Sequence, residues 1–249
     1  LRPGLSQVFV LEVQHKTSKE KSLFEFTVIS NDHYFVVEVV ELDEEFRSYQ
    51  VMASLSGVIA RLEQTKCLKE LCQAIVEETQ RITDFDRVMI YQFDEEWNGT
   101  VVAEKLARDH LRSFANHRFP PSDIPPTSRQ MLRENLIRFI PDVFYESSPL
   151  VPALHPKTKE STFSGKSLLR SPSKIYIDYL KNLQVGASLT ISIIKNNELW
   201  GIIACQHEGK KNIGQSERFA SQILGTVVSS LITSKINFED YQYSQNLLS

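Results

Sequence analysis

The sequence predicts an α+β fold, an α/β sandwich in which a central antiparallel sheet is flanked by helices. Three observations carry that expectation. Stretches 46–64 and 68–82 repeat apolar residues at helical period. Segments 87–93, 99–105, 187–195 and 199–207 are rich in β-branched and aromatic residues, and Asn196-Asn197 between the last two is a two-residue hairpin signal. Residues 215–238 then form a long amphipathic helix through Phe219, Ile223, Val227, Leu231 and Ile236.

Within the first 42 residues, Phe24–Val28 and Tyr34–Val40 read as strands joined at Ser30-Asn31-Asp32. So short a stretch is too small for an independent core. Residues 1–42 are therefore expected to be the C-terminal part of a domain, followed by a main domain over 43–240 and a helical extension over 241–249. The first helix carries Phe46, Val51, Leu55, Val58, Ile59 and Leu62 on one face, and the second carries Leu71, Ile75 and Ile82. A short helix is expected over 129–136. Segment 144–169 has no period and holds Pro149, Pro152 and Pro156 among many Ser, Thr and Lys residues. A loop of that length inside a compact domain reads as an ordered functional insertion.

Bulk properties exclude several classes. A formal net charge of −3 leaves no basic surplus for nucleic acid. The cysteines Cys67, Cys72 and Cys205 have no zinc-type spacing with the histidines, so no metal site is expected. Their sparse number fits reduced thiols in a cytoplasmic protein. No apolar run approaches the roughly 20 residues of a membrane span. There is no Gly-rich phosphate loop and no nucleophile elbow, so the chain is not expected to be an enzyme. The start, Leu1-Arg-Pro-Gly, reads as an excision from something longer.

Several motifs stand in one order along the chain: Asp84–Asp94 with Trp97-Asn98-Gly99, then FPPSDIP over 119–125, Arg138-Phe-Ile-Pro-Asp-Val, and Leu169-Arg170-Ser171. Tyr179-Leu-Lys-Asn, Gly186–Ser192 and LWGIIACQH over 199–207 complete the set. Together they resemble the GAF chromophore-binding domain of phytochromes over about residues 46–236. On this resemblance, 1–42 is similar to the back half of the PAS domain that precedes GAF, and 144–169 to the family's lasso loop.

The resemblance implies a cofactor, a linear tetrapyrrole such as biliverdin or a related bilin, and assigns residues to it. Arg138 and Arg170 match propionate-binding arginines, and planar guanidinium suits bidentate carboxylate recognition. Ser188 and Thr190, two apart on a strand and so on one face, match the propionate-side hydroxyls. Asp123, Ile124 and Pro125 match the box whose Asp carbonyl accepts from the pyrrole N–H groups. Tyr91 and Tyr179 match pocket tyrosines near the ring that isomerises. Without the motif context, the arginines would read as surface ion-pair residues and the aromatics as core.

Four positions depart from the family. Tyr176 stands where a histidine bonds the pyrrole nitrogens; tyrosine does not titrate near neutrality, so pH-linked colour change through this position is expected to be lost. Ile175 stands at the attachment cysteine of plant and cyanobacterial members and cannot form a thioether. The bilin is accordingly expected to be non-covalent here or linked through an upstream cysteine this chain does not show. Gln206 replaces the histidine that bonds the far-ring carbonyl, and its amide can still donate. Leu132 replaces a tyrosine. Cys205, among apolar neighbours, reads as a buried structural thiol.

The resulting expectation is a sensory photoreceptor module that relays light-driven isomerisation to an output domain outside this chain, usually a histidine kinase. Homodimerisation through 46–64 and 215–240 is implied as well. Two alternatives stay open: a degenerate GAF serving as an interaction module, and a pocket for another small anionic ligand.

Overall fold

In the computed structural model the described residues are 6–14, 21–30, 34–42, 45–160, 165 and 167–248. They divide into two compact units, Leu1–Glu44 with Phe144–Tyr176, and Glu45–Val143 with Ile177–Ser249.

The first unit holds three antiparallel strands in sequential order: β1 (Ser6–Gln14), β2 (Lys21–Ser30) and β3 (Phe35–Glu41). β1 is not expected from the sequence reading, although its apolar residues are as strand-prone as those of its neighbour. The Asn31-Asp32 turn lies outside the described residues. Glu38 on β3 anchors the end of the proline-bearing segment. It accepts from the Ser167 hydroxyl, from Leu169 N–H at 2.8 Å and from Leu168 N–H at 3.3 Å. Tyr34 stacks on His155, 5.8 Å between ring centroids.

The second unit begins with α1 (Glu45–Glu63) and α2 (Leu68–Thr83), which ends at Asp84 in the left-handed region. β4 (Arg87–Phe93), β5 (Gly99–Leu106) and β6 (Arg118–Phe119) follow. A 3-10 turn at Pro121–Asp123 leads into α3 (Pro126–Glu134). β7 (Ile137–Ile140), α4 (Lys174–Asn182), β8 (Ala187–Lys195), β9 (Glu198–His207) and α5 (Gln215–Leu248) complete the chain. The expected 129–136 helix is displaced. Pro126 can occupy the first turn, where its missing N–H costs nothing, and Asn135 is already extended. Asn196 and Asn197 both take positive φ, 51° and 66°, as a tight hairpin turn requires. Cys67 precedes α2 as its N-cap rather than lying within it.

The strands form a six-stranded antiparallel sheet in the order β6-β5-β4-β9-β8-β7. Because strand residues alternate between faces, the sheet has two distinct sides. On one, Val88, Ile90, Leu189, Ile191, Ile203 and Cys205 are buried beneath α1, α2 and α5. Val58, Leu62, Leu71, Ile75, Leu224, Val228 and Ile232 supply the helical half of that core. Packing is close enough that a Cβ on Gly225 would lie 2.7 Å from Ile191 Cγ2.

α5 runs ten residues past the expected helix end at 238. Among the described residues it is the one helix long and apolar enough to span a membrane, a length and composition the sequence reading did not find. Ala220, Leu224, Val228 and Ile232 nevertheless bury that stretch against the sheet and helices of its own unit, as in the core helix of a globular domain.

Candidate ligand-binding site

The side of the sheet away from α1, α2 and α5 carries the polar positions, and the register places them in rows. Directly paired antiparallel residues share a face with Cβ atoms about 4.5–5.5 Å apart. One row runs Arg138–Thr190–Ala204–Met89 across β7, β8, β9 and β4. The next runs Ile140–Ser188–Gln206–Arg87. Arg138, Thr190, Ser188 and Gln206 thus form one patch, although 68 positions separate the first from the last.

Ser188 and Thr190 are each 4% exposed, and among the described residues neither hydroxyl has a hydrogen-bond partner. A buried hydroxyl left unpaired costs about 1–3 kcal/mol, so two side by side mark a surface shaped for something that pairs them. Arg138, half-buried beside them, supplies the cation.

A third row places Tyr91 between Val101 and Ile202. A bulge between Ile90 and Tyr91 shifts the β4–β5 register there. Tyr91 is 7% exposed and packs with Met89, Val101, Leu132, Leu199 and Ile202. Its ring crosses the backbone at Gly99, where a Cβ would come within 1.5 Å of Cε1. Burial, followed by the neighbouring Tyr179 phenol and Asp123 carboxylate, pushes the Tyr91 hydroxyl well above the usual tyrosine range. Tyr91, Tyr179 and Asp123 therefore lie within electrostatic reach of one another.

The segment bearing Asp123, Ile124 and Pro125 is held from both ends. Asp123 N–H donates to Pro120 O at 3.1 Å. Arg129 Nε donates to Ile124 O at 2.8 Å, and the Arg129 guanidinium lies 4.6 Å over the Trp97 ring. Ile124 packs against the Tyr91 cluster. Leu132 belongs to that same cluster and fills apolar space rather than offering a hydroxyl.

Arg170 and Tyr176 belong to the first unit. Arg170 Nη1 donates to Gly165 O at 2.6 Å and Ser167 O at 3.4 Å, on the segment that Glu38 anchors. Tyr176 N–H donates to Ser173 Oγ at 3.3 Å. Ile175 is 79% exposed.

Sequence reasoning missed one buried ion. Arg87 Nη1 donates to Gln206 Oε1 at 3.0 Å and Nη2 to Arg112 O at 2.6 Å; Nε lies 3.4 Å from Glu104 Oε1. The guanidinium sits 4.2 Å from the centre of the Phe114 ring. Burial lowers its pKa, opposed by Glu104 and Glu208. An arginine amid the apolar residues of β4 was the available signal, but its partners are remote in sequence.

The cysteines lie away from the patch. Cys205 faces the helices, fully buried, and burial raises its pKa. Burial first, then Glu239 and Cys67, push Cys72 up to about 12. No group of three or more His, Cys, Asp or Glu side chains able to hold a metal occurs among the described residues.

Residues 68–232 match the GAF domain family. Over 202 residues the chain is 41% identical to Cyanobacterial phytochrome A of Nostoc sp., covering 81% of this chain and 26% of that protein. To Cyanobacterial phytochrome B of Nostoc sp. it is 35% identical over 232 residues, covering 92% and 31%. The chain thus spans less than a third of these relatives' length. The solved chromophore-binding domain of an unusual bacteriophytochrome from R. palustris superposes with a TM-score of 0.84 at 31% identity, covering 93% of this chain and 75% of that one.

Proposed function

Because the chain belongs to the phytochrome family through its GAF domain, we propose that its polar sheet face binds a linear tetrapyrrole such as biliverdin and that the chain is the light-sensing module of a larger receptor. A bound bilin supplies visible-light absorption and double-bond isomerisation. Everything else falls to the protein's own residues.

The observation that carries this reading is the patch of Arg138, Ser188 and Thr190, with two buried hydroxyls that no described residue satisfies. A guanidinium flanked by two hydroxyls suits a carboxylate, and a propionate is such a group. Arg138, Ser188 and Thr190 would take one propionate, and Arg170 is assigned to the other. Tyr91 and Tyr179 would line the apolar end beside Asp123, whose carbonyl would accept pyrrole N–H groups.

Attachment is non-covalent within this chain, or made through a cysteine upstream of it. Position 175 has no sulfur, and the raised pKa values of Cys72 and Cys205 leave too little thiolate for addition. Exposed Phe238, Tyr241, Tyr243 and Leu247 on α5 support a parallel homodimer that passes the signal to an output domain, usually a histidine kinase. In this reading the chain works in the cytoplasm and performs no catalysis itself.

A second reading, another small carboxylate ligand, draws on the same patch, since it recognises the acid group and not the tetrapyrrole. Co-expression with a biliverdin-producing haem oxygenase separates the two. A red-absorbing protein that loses its colour in Arg138→Ala supports bilin binding. A colourless protein, also when extended upstream through the whole PAS domain, refutes it and leaves the carboxylate reading.

A further inference from the structure

We propose that Arg87 is a positioning residue that locks the Gln206 amide with its oxygen toward β4 and its NH2 toward the ligand, making position 206 a hydrogen-bond donor only. The inference deepens the bilin reading and rests on it for the identity of the ligand.

A neutral amide beside a ligand can present either its oxygen or its nitrogen. Here one end is already committed. Arginine has only donors, so the amide atom 3.0 Å from Arg87 Nη1 must be the oxygen. The NH2 then lies on the side away from Arg87. Along its row Gln206 stands between Arg87 on β4 and Ser188 on β8. Gln206 is 7% exposed, and among the described residues its Nε2 has no partner. A buried NH2 with nothing to donate to, beside two buried hydroxyls in the same condition, is directed at a ligand acceptor.

The lock is rigid because every side of the guanidinium is occupied. Nη2 is held by Arg112 O, Nε faces Glu104, and the Phe114 ring closes the flat face. Glu104 is itself fixed: it accepts from Ser113 Oγ at 2.5 Å and from Phe114 N–H at 3.1 Å. The 107–117 connection thereby bears on the polarity of a side chain on β9. A ligand group at this point must be a carbonyl or carboxylate oxygen, such as the lactam carbonyl that ends a linear tetrapyrrole; a ring N–H would meet another donor.

Two measurements test this, and the first needs no ligand. In the ligand-free protein, the Gln206 side-chain NH2 protons should show cross-relaxation to Ser188 or Thr190 protons and none to the Arg87 guanidinium. Cross-relaxation to Arg87 would overturn the proposal, whether or not bilin binds.

The second reads the carbonyl stretch of bound biliverdin by resonance Raman. Gln206→Glu keeps the side-chain size and gives Arg87 a stronger partner, so it should fold, yet an ionised carboxylate cannot donate. The stretch should move to higher wavenumber and affinity should fall roughly tenfold, about one lost hydrogen bond with repulsion added. Arg87→Lys, still donor-only, should keep the wild-type band. Arg87→Gln, which can donate or accept, should split or broaden it. An unchanged band in Gln206→Glu would overturn the proposal. If the Arg87 variants do not fold, Gln206→Glu alone decides. If wild-type protein takes up no biliverdin, the bilin reading fails while the ligand-free measurement still settles the amide.

Discussion

Replacing Gly99 by Ala tests how tightly Tyr91 is set into the sheet. A Cβ at position 99 would lie 1.5 Å from Tyr91 Cε1, 1.8 Å from Cζ and 2.3 Å from Oη, all far inside van der Waals contact. The ring cannot yield freely, because Phe93 and Phe119 lie 5.3 and 5.6 Å away between centroids. Forcing extra volume into a packed cluster costs about 1–3 kcal/mol. Against this, Gly→Ala at a tolerant position gains about 0.4–1 kcal/mol through the unfolded chain. The expected net loss is about 1–2 kcal/mol, or about 2–8 °C in melting temperature for a chain of this size. The diagnostic is the sign in a second background. With Tyr91→Val the ring is gone, so Gly99→Ala should become neutral or stabilising, a coupling of about 1.5–3 kcal/mol. Urea denaturation of the four proteins, followed by circular dichroism, reads this directly. An equal cost in both backgrounds, or a stabilised single mutant, would refute the placement of the ring over Gly99.

Other substitutions probe the remaining features. Joint replacement Ser188→Ala and Thr190→Val should leave stability within about 0.5 kcal/mol, since neither hydroxyl has a partner in the protein, yet weaken bilin binding by about 10–100-fold; a spectroscopic titration reads the affinity, and unaltered binding would detach these hydroxyls from the site. Asp86 is raised by burial, but the Glu208 N–H at 3.0 Å, Arg108 at 3.1 Å and His207 at 3.5 Å outweigh that and hold it below the usual carboxylate range. A depressed carboxyl contributes stability that is present above its unfolded pKa of about 3.9 and lost as pH falls through the folded value. Asp86→Asn should therefore flatten the acid limb of the stability curve while lowering stability at pH 7, and a limb as steep as that of wild type would contradict the assignment. Glu38→Ala leaves the Ser167 hydroxyl and the Leu168 and Leu169 N–H groups unpaired, so amide exchange at 168 and 169 should speed up by about 5–150-fold, the equivalent of about 1–3 kcal/mol. Unchanged protection at those amides would show that the segment is held by something else.

The fold was legible where local pattern and tertiary demand agree. Strands β4, β5, β8 and β9 and helices α1, α2 and α5 announce themselves by period, and the Asn196-Asn197 turn by its chemistry. The elements left unassigned are short or depend on partners. β6 has two residues and exists only as a pairing with Gly99 and Thr100. β7 has four residues and is fixed by β8. β1 contains Val8–Leu11, an apolar run without clean alternation, so period alone gives it no sidedness. The site divides in the same way. Ser188 and Thr190 share a face by simple alternation, and the motif supplied Arg138. Arg87 and Gln206 are 119 positions apart, and only the neighbouring of β4 and β9 brings them together. No local rule predicts a contact of that kind, because it is set by strand order.

The pairing of donors and acceptors on this face also narrows what can occupy it. Arg138 offers only donors, and Gln206, with its oxygen held by Arg87, offers only its NH2. Ser188 and Thr190 can do either, but beside a guanidinium they gain most by donating to the same anion. The patch is therefore built for acceptor oxygens, several of them, within one sheet face. The acceptor that balances it comes from elsewhere: the carbonyl of Asp123, in a segment that Arg129 pins through Ile124 O. A ligand matching both sides must carry oxygens along one edge and N–H groups where it meets that segment. A simple carboxylate satisfies the first requirement and leaves the second unused, whereas a tetrapyrrole with propionates, terminal carbonyls and pyrrole N–H groups satisfies both. That is the physical reason to favour the bilin over the smaller anion, and it depends on the Gln206 amide standing in the orientation Arg87 imposes.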